Sequence, residues 1–197
     1  MSSLAESFAR DKYVAAPGLL NGPALAFFYD YAVKMSRGKQ DPKSGEVPGL
    51  PAAYGDPMME LLLDKMLPRV EAASGLRLYP TYSYLRVYQP GATLERHRDR
   101  PSCEVSVTLS LGFQAPAHWP IWIEGPNGTT GVALEPGDAL LYRGCDCYHW
   151  RERFEGEHAA QVFLHYVDQD GPWAEWKFDK RPGLTPFPAH LKCLFQV

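Results

Sequence analysis

The chain lacks any apolar run approaching the roughly 20 residues that a membrane-spanning helix needs. Its opening stretch, MSSLAESFARDKYVAAPG, lacks the basic-then-apolar order of a secretory signal. A cytoplasmic protein without a membrane partner is the expectation. A basic excess is also missing: 20 Lys and Arg stand against 23 Asp and Glu, for a net charge of -3 and a pI near 6.1. Nucleic-acid binding draws on clustered Lys and Arg that release counterions, so DNA and RNA are not expected partners. Cysteine is scarce. Residues Cys103, Cys145, Cys147 and Cys193 are too few and too irregular for a disulfide framework. The segment CDCYH, 145–149, lacks the second ligand pair of a structural zinc site, so the cysteines are read as thiols. No internal repeat is present.

What the chain does have is 45% hydrophobic and 13% aromatic content in 197 residues, which fits one globular domain. Residues 1–76 read as helical support. Asn21-Gly22-Pro23 opens one helix, which runs through ALAFFYDYAVKM to Gly38. Asp56-Pro57 opens a second, stopped by Gly75, with Pro68 expected to kink or divide it. Between them SRGKQDPKSGEVPGLPAAYGD, 36–56, is rich in Gly and Pro and reads either as a lid or as a plain surface loop.

From Pro80 the period changes to two. TYSYLRVY sets Tyr82, Tyr84, Arg86 and Tyr88 against Ser83, Leu85 and Val87, and EVSVTLSLG alternates Val and Leu with Ser and Thr. WPIWIE, TGVALE, DALLYRG and HAAQVFLHYV follow as shorter strands between Gly and Pro turns. Residues 77–168 therefore read as a sandwich or jelly-roll core, making the fold mainly β with N-terminal helices (α+β). The tail, 169–197, carries Trp173, Trp176 and Phe178 and is expected to pack back on that core.

One stretch is oddly polar. In LERHRDRPSCEVSVTLSLG, 94–112, residues i and i+2 of extended chain share a side, so His97 and Asp99 stand together with Arg98 turned away. They form either a metal clip or a solvated turn in which Asp99 pairs Arg98 or Arg100. His149 follows the strand DALLYRG, where a jelly roll can fold it back. Two histidines and a carboxylate make the facial triad of non-haem iron(II) oxygenases.

The order Tyr88-Gln-Pro-Gly, His97-x-Asp99, EVSVTLSLG, LEPGDALLY and His149 resembles the iron(II) and 2-oxoglutarate dependent dioxygenases, nearest the prolyl 4-hydroxylase-like branch, over roughly residues 80–167. The resemblance implies a double-stranded β-helix, a cupin-like jelly roll, with Fe(II) at its mouth on His97, Asp99 and His149. It implies 2-oxoglutarate and O2 as co-substrates, with ascorbate as a stimulant. It also implies hydroxylation of an unactivated C–H bond on a small molecule or peptide, such as an amino-acid side chain. Tyr88 matches a tyrosine that bonds the co-substrate. The family's cation for the distal carboxylate of 2-oxoglutarate lies about nine to eleven positions after the distal histidine, where this chain has His158. Arg86, on the face of Tyr88, is a second cation, and Arg151 and Arg153 are further candidates on what reads as a polar loop. Tyr82 and Tyr84 serve the site or ordinary aromatic packing. Trp150 points away, and His118 and His190 read as surface residues. Retention of Asp99 speaks against halogenation. Two rival readings remain: a non-oxidative cupin-like zinc enzyme, and a catalytically idle binding module displaying the Trp-rich tail.

Overall fold

A computed structural model describes residues 2–36 and 52–188. Most of the expected lid, and His190 and Cys193, lie outside the described residues. No helix among those described is long and apolar enough to cross a membrane.

The helical elements are α1 (Leu4–Asp11), α2 (Gly22–Ser36) and α3 (Pro57–Ser74). Ser3 caps α1 in a reciprocal capping box with Glu6, satisfying two backbone donors that a helix start leaves open. Asp56 caps α3 by accepting from the N–H groups of Met58 and Met59, and Gly75, at φ 74°, ends it in the left-handed conformation. Of the kink or division expected at Pro68, division does not occur, since α3 runs unbroken through it. Pro68 and Asp64, whose carbonyl loses its i+4 donor, are both on the exposed side. Met59, Leu63, Met66 and Val70 hold the other side in the core.

Among the described residues ten strands form two antiparallel sheets. The larger has the order β1 (Tyr13–Ala16), β8 (Ala139–Arg143), β5 (Val105–Gln114), β10 (His158–Asp168), β3 (Leu78–Tyr88), β2 (Ala52–Tyr54). The smaller has β4 (Leu94–His97), β9 (Tyr148–Arg151), β6 (Ile121–Gly125), β7 (Gly128–Val132). The expected strand TGVALE is displaced to Gly128–Val132.

Alternation along the large sheet gives its two faces different chemistry. Val105, Val107, Leu109 and Leu111 of β5 join Leu85 and Val87 of β3 and Val162 and Leu164 of β10 in one apolar core with the helices. The opposite positions, Ser106, Thr108 and Ser110, with Arg86, Gln161 and His165, are also buried but polar. A sheet buried on both sides with polar residues on one of them must satisfy those groups internally. That polar lining faces the small sheet and holds the site.

Candidate metal centre

His97 ends β4 and His149 lies in β9, and the two are register partners across that ladder. Their ring centroids are 4.3 Å apart. Asp99 follows β4, its N–H donating to the carbonyl of Gly144 at 2.9 Å. The Nε2 atoms of both histidines stand 3.6 Å from Asp99 Oδ1. The side chain of His149 is 3% exposed, Asp99 12% and His97 26%, so solvent reaches the group from the His97 side.

The rings are oriented for metal binding. His97 Nδ1 lies 2.8 Å from the Glu95 carbonyl and His149 Nδ1 3.1 Å from that of Cys147. A carbonyl only accepts, so each Nδ1 carries a proton and Nε2, the nitrogen turned toward Asp99, is the atom that could ligate a metal; His149 Nε2 also lies 3.4 Å from the Tyr142 hydroxyl. Two imidazole nitrogens and a carboxylate oxygen within 4.8 Å of one another are a donor set that could hold a divalent metal. Burial pushes the Asp99 carboxyl up, but His97, His149, His165 and Ser106 outweigh it and bring it down to about 2. The solvated-turn alternative fails: Arg98 donates to Tyr148 at 2.9 Å and Arg100 grips Asp179 at 2.7 and 2.9 Å.

A second polar group lies further along the same faces. Arg86 and Tyr88 of β3 are buried, and the Arg86 guanidinium donates to Tyr84 at 3.2 Å. Tyr88 meets Trp119 edge-on at 4.8 Å. Arg151 was read as a loop residue, yet it belongs to β9, two positions from His149 and on its face, 3% exposed. It donates to the Trp119 carbonyl at 2.6 Å and lies 3.5 Å from Gln161 Oε1; its Nε has no hydrogen-bond partner among the described residues. Burial pulls its pKa down to about 10.

His158 is not brought to this interior. It shares the helix-facing parity of β10 with Ala160 and Val162, and its Nε2 meets Tyr29 of α2 at 2.6 Å. Arg153 pairs Glu155 at 3.2 Å and His118 pairs Glu135 at 3.2 Å, both on the surface. Trp150 stacks on Trp122 on the outer face, as alternation required. Tyr82 and Tyr84 face inward, Tyr82 packing on His165 at 4.6 Å. Cys103, Cys145 and Cys147 are free thiols. The sequence reading missed Ser106 and His165, which adjoin Asp99, although strand alternation aims both inward.

No protein-family model matches the sequence, and no curated protein matches it. Solved structures do. SnoN, titled a non-heme alpha ketoglutarate dependent epimerase from nogalamycin biosynthesis, aligns with TM-score 0.72 at 16% identity over 94% of this chain and 90% of its own. A Pseudomonas putida prolyl-4-hydroxylase aligns with TM-score 0.66 at 15% identity over 82% and 96%. EctD from S. alaskensis, solved with bound Fe, aligns with TM-score 0.68 at 16% identity over 95% and 89%. The fold is the double-stranded β-helix of the 2-oxoglutarate and iron(II) oxygenases.

Proposed function

We propose that the protein is an iron(II) and 2-oxoglutarate dependent dioxygenase that couples decarboxylation of 2-oxoglutarate to succinate with hydroxylation of an unactivated C–H bond. His97, Asp99 and His149 would hold the iron, leaving its other positions open. Bound there, iron(II) would supply the electrons that activate O2, one oxygen atom going to succinate and the other to the substrate carbon.

The observation that carries this reading is Arg151. A buried guanidinium without a carboxylate costs several kcal/mol, and Arg151 has only carbonyl-type oxygens as acceptors among the described residues. It sits about 7 Å along β9 from His149, two strand residues away. A dicarboxylate anchored at the metal would reach inward with its second carboxylate toward this cation. Arg86 and the Tyr84 and Tyr88 hydroxyls bound the same interior and would complete the anion's contacts. Trp119 and Phe154 pack at 4.9 Å at the inner end. In this reading the co-substrate cation would be Arg151 on β9, with Arg86 on β3, in the role that the sequence reading assigned to His158.

Asp99 keeps an oxygen ligand where chloride would otherwise bind, which favours hydroxylation over halogenation. The likeness to a prolyl-4-hydroxylase supports an amino-acid or peptidyl side chain as substrate. Adding 2-oxoglutarate to iron-loaded protein without oxygen should produce a visible charge-transfer band. A metal-bound protein without that band would be the non-oxidative cupin-like enzyme, and one that binds neither would be an idle module.

A further inference from the structure

We infer that Ser106 and His165 are positioning residues for Asp99, an inference that rests on the metal-centre reading above. Ser106 Oγ lies 2.8 Å from Asp99 Oδ2, 3.1 Å from the Cys103 carbonyl and 2.9 Å from His165 Nδ1, with the Tyr142 hydroxyl also beside it. The hydroxyl has one proton to give, and both the ionised carboxylate and the carbonyl can only accept. Were that proton given to the imidazole, the hydroxyl lone pairs would face two oxygens, one of them anionic. The imidazole is therefore the donor. His165 carries its proton on Nδ1, and the chain runs from His165 Nδ1–H to Ser106 and from Ser106 O–H to Asp99 Oδ2.

The consequence is at the carboxylate. Oδ2 is engaged by Ser106, while Oδ1, 3.6 Å from both histidine Nε2 atoms, is the oxygen left for a metal. Asp99 would then offer one ligand oxygen rather than two. The relay is rigid because the large sheet holds it. Ser106 pairs His165 on β10 and Tyr142 on β8, and both relay residues are buried, at 0% and 5% exposure. The His165 ring lies against Tyr82 at 4.6 Å and parallel to Phe163 at 6.5 Å. The loop bearing Asp99 is thereby tied to the central strands.

Asp99, Cys103 and His165 also lie within 4.8 Å of one another. That group is a hydrogen-bonded wall rather than a second metal site. The Cys103 thiol is buried and within 3.1 Å of the Tyr82 hydroxyl, and burial opposes the thiolate that a metal would need.

Two measurements on the full chain test the relay. Long-range nitrogen–proton NMR of the metal-free protein at neutral pH should show His165 protonated on Nδ1; the Nε2–H form overturns the relay, with no variant required to fold. Cobalt(II) and iron(II) affinities should fall roughly 10- to 100-fold in Ser106→Ala and in His165→Leu. His165→Asn places an amide N–H near the position of Nδ1 and should recover most of that loss. Wild-type affinity in Ser106→Ala, or equal losses in His165→Asn and His165→Leu, overturns the positioning role. A wild-type chain that binds neither metal overturns the metal-centre reading itself, and the positioning role with it.

Discussion

His97 and His149 face each other across the β4–β9 ladder, and their Nε2 atoms are equidistant, at 3.6 Å, from the same oxygen of Asp99. Residues far apart in sequence thus share one point in space. Asp99→Ala and His149→Ala should have the same phenotype: iron content and 2-oxoglutarate consumption both lost, by more than the roughly 10- to 100-fold typical of an outer partner. Both metal-free variants should still fold, since neither change touches the apolar core, with Asp99→Ala giving up the stability that its carboxylate draws from Ser106 and its neighbours. Wild-type iron content in either variant refutes the site.

Arg151 separates stability from function. Replacing a buried ion pair with well-packed apolar side chains is often neutral or stabilising by about 1–4 kcal/mol, and Arg151 bears the same desolvation cost with no carboxylate to leave behind. Arg151→Met should therefore melt at or above the wild-type temperature while its 2-oxoglutarate affinity falls at least roughly 30-fold, about 2 kcal/mol or more. Arg151→Lys should not restore binding, because an ammonium lacks the planar fork. Isothermal titration with 2-oxoglutarate on the iron-loaded variants reads both.

Gly144 is where the fold leaves no room. A Cβ there would run into the Cys103 carbonyl, Asp99 Oδ2 and Ser106 Oγ. One of those belongs to the candidate ligand carboxylate and another is the hydroxyl that bonds it. Gly144→Ala should cost about 1–3 kcal/mol of stability through overpacking, and it should also weaken iron binding. A denaturant melt and a metal titration on one preparation test the pair of effects, and retention of both wild-type values counts against the cradle.

The aromatic tail is held by charge as well as by rings. Glu60 of α3 is 1% exposed, accepts from Arg181 at 2.6 Å and also takes the Thr185 N–H. Arg181 donates in addition to the Thr81 carbonyl at 2.9 Å. Arg181→Ala leaves a carboxylate buried without its cation, expected to cost about 3 kcal/mol. Glu60→Gln, which removes the charge and keeps the shape, should cost less. The order of the two urea midpoints is the test.

Strand alternation made most of this architecture legible. EVSVTLSLG placed its Val and Leu in the helix-packed core, as observed, and the i, i+2 argument brought His97 and Asp99 together. The same argument, applied two residues beyond His149, would have put Arg151 in the interior; its polar neighbours Glu152 and Arg153 disguised a strand end as a loop. His158 was placed by its offset from the distal histidine, and an offset counts a connecting loop whose length is free. Its parity with Ala160, Val162 and Leu164 already pointed it toward the helices. The Ser3-x-x-Glu6 capping box that opens α1 was a legible signal that the sequence reading passed over. Strands β1 and β2 are too short to show a period, and their pairing is decided by tertiary edges rather than by local sequence.

His165 gives stability a pH dependence. Burial lowers its folded pKa to about 4, from an ordinary value of 6.5. Below 6.5 the unfolded chain takes up a proton that the folded chain refuses until about 4, so protonation favours unfolding. The contribution is complete above pH 6.5 and disappears progressively as pH falls toward 4, amounting to about 2–3 kcal/mol by pH 4.5. Asp99, held down at about 2, loses its own contribution only below about pH 4, so the two windows separate. Urea unfolding of metal-free protein at intervals from pH 7.5 to 4.5 should show stability falling with pH in the wild type and a flatter profile in His165→Asn, which has no imidazole to charge. Parallel profiles would show that another group titrates, and that His165 is not held neutral by its burial between Ser106 and Tyr82.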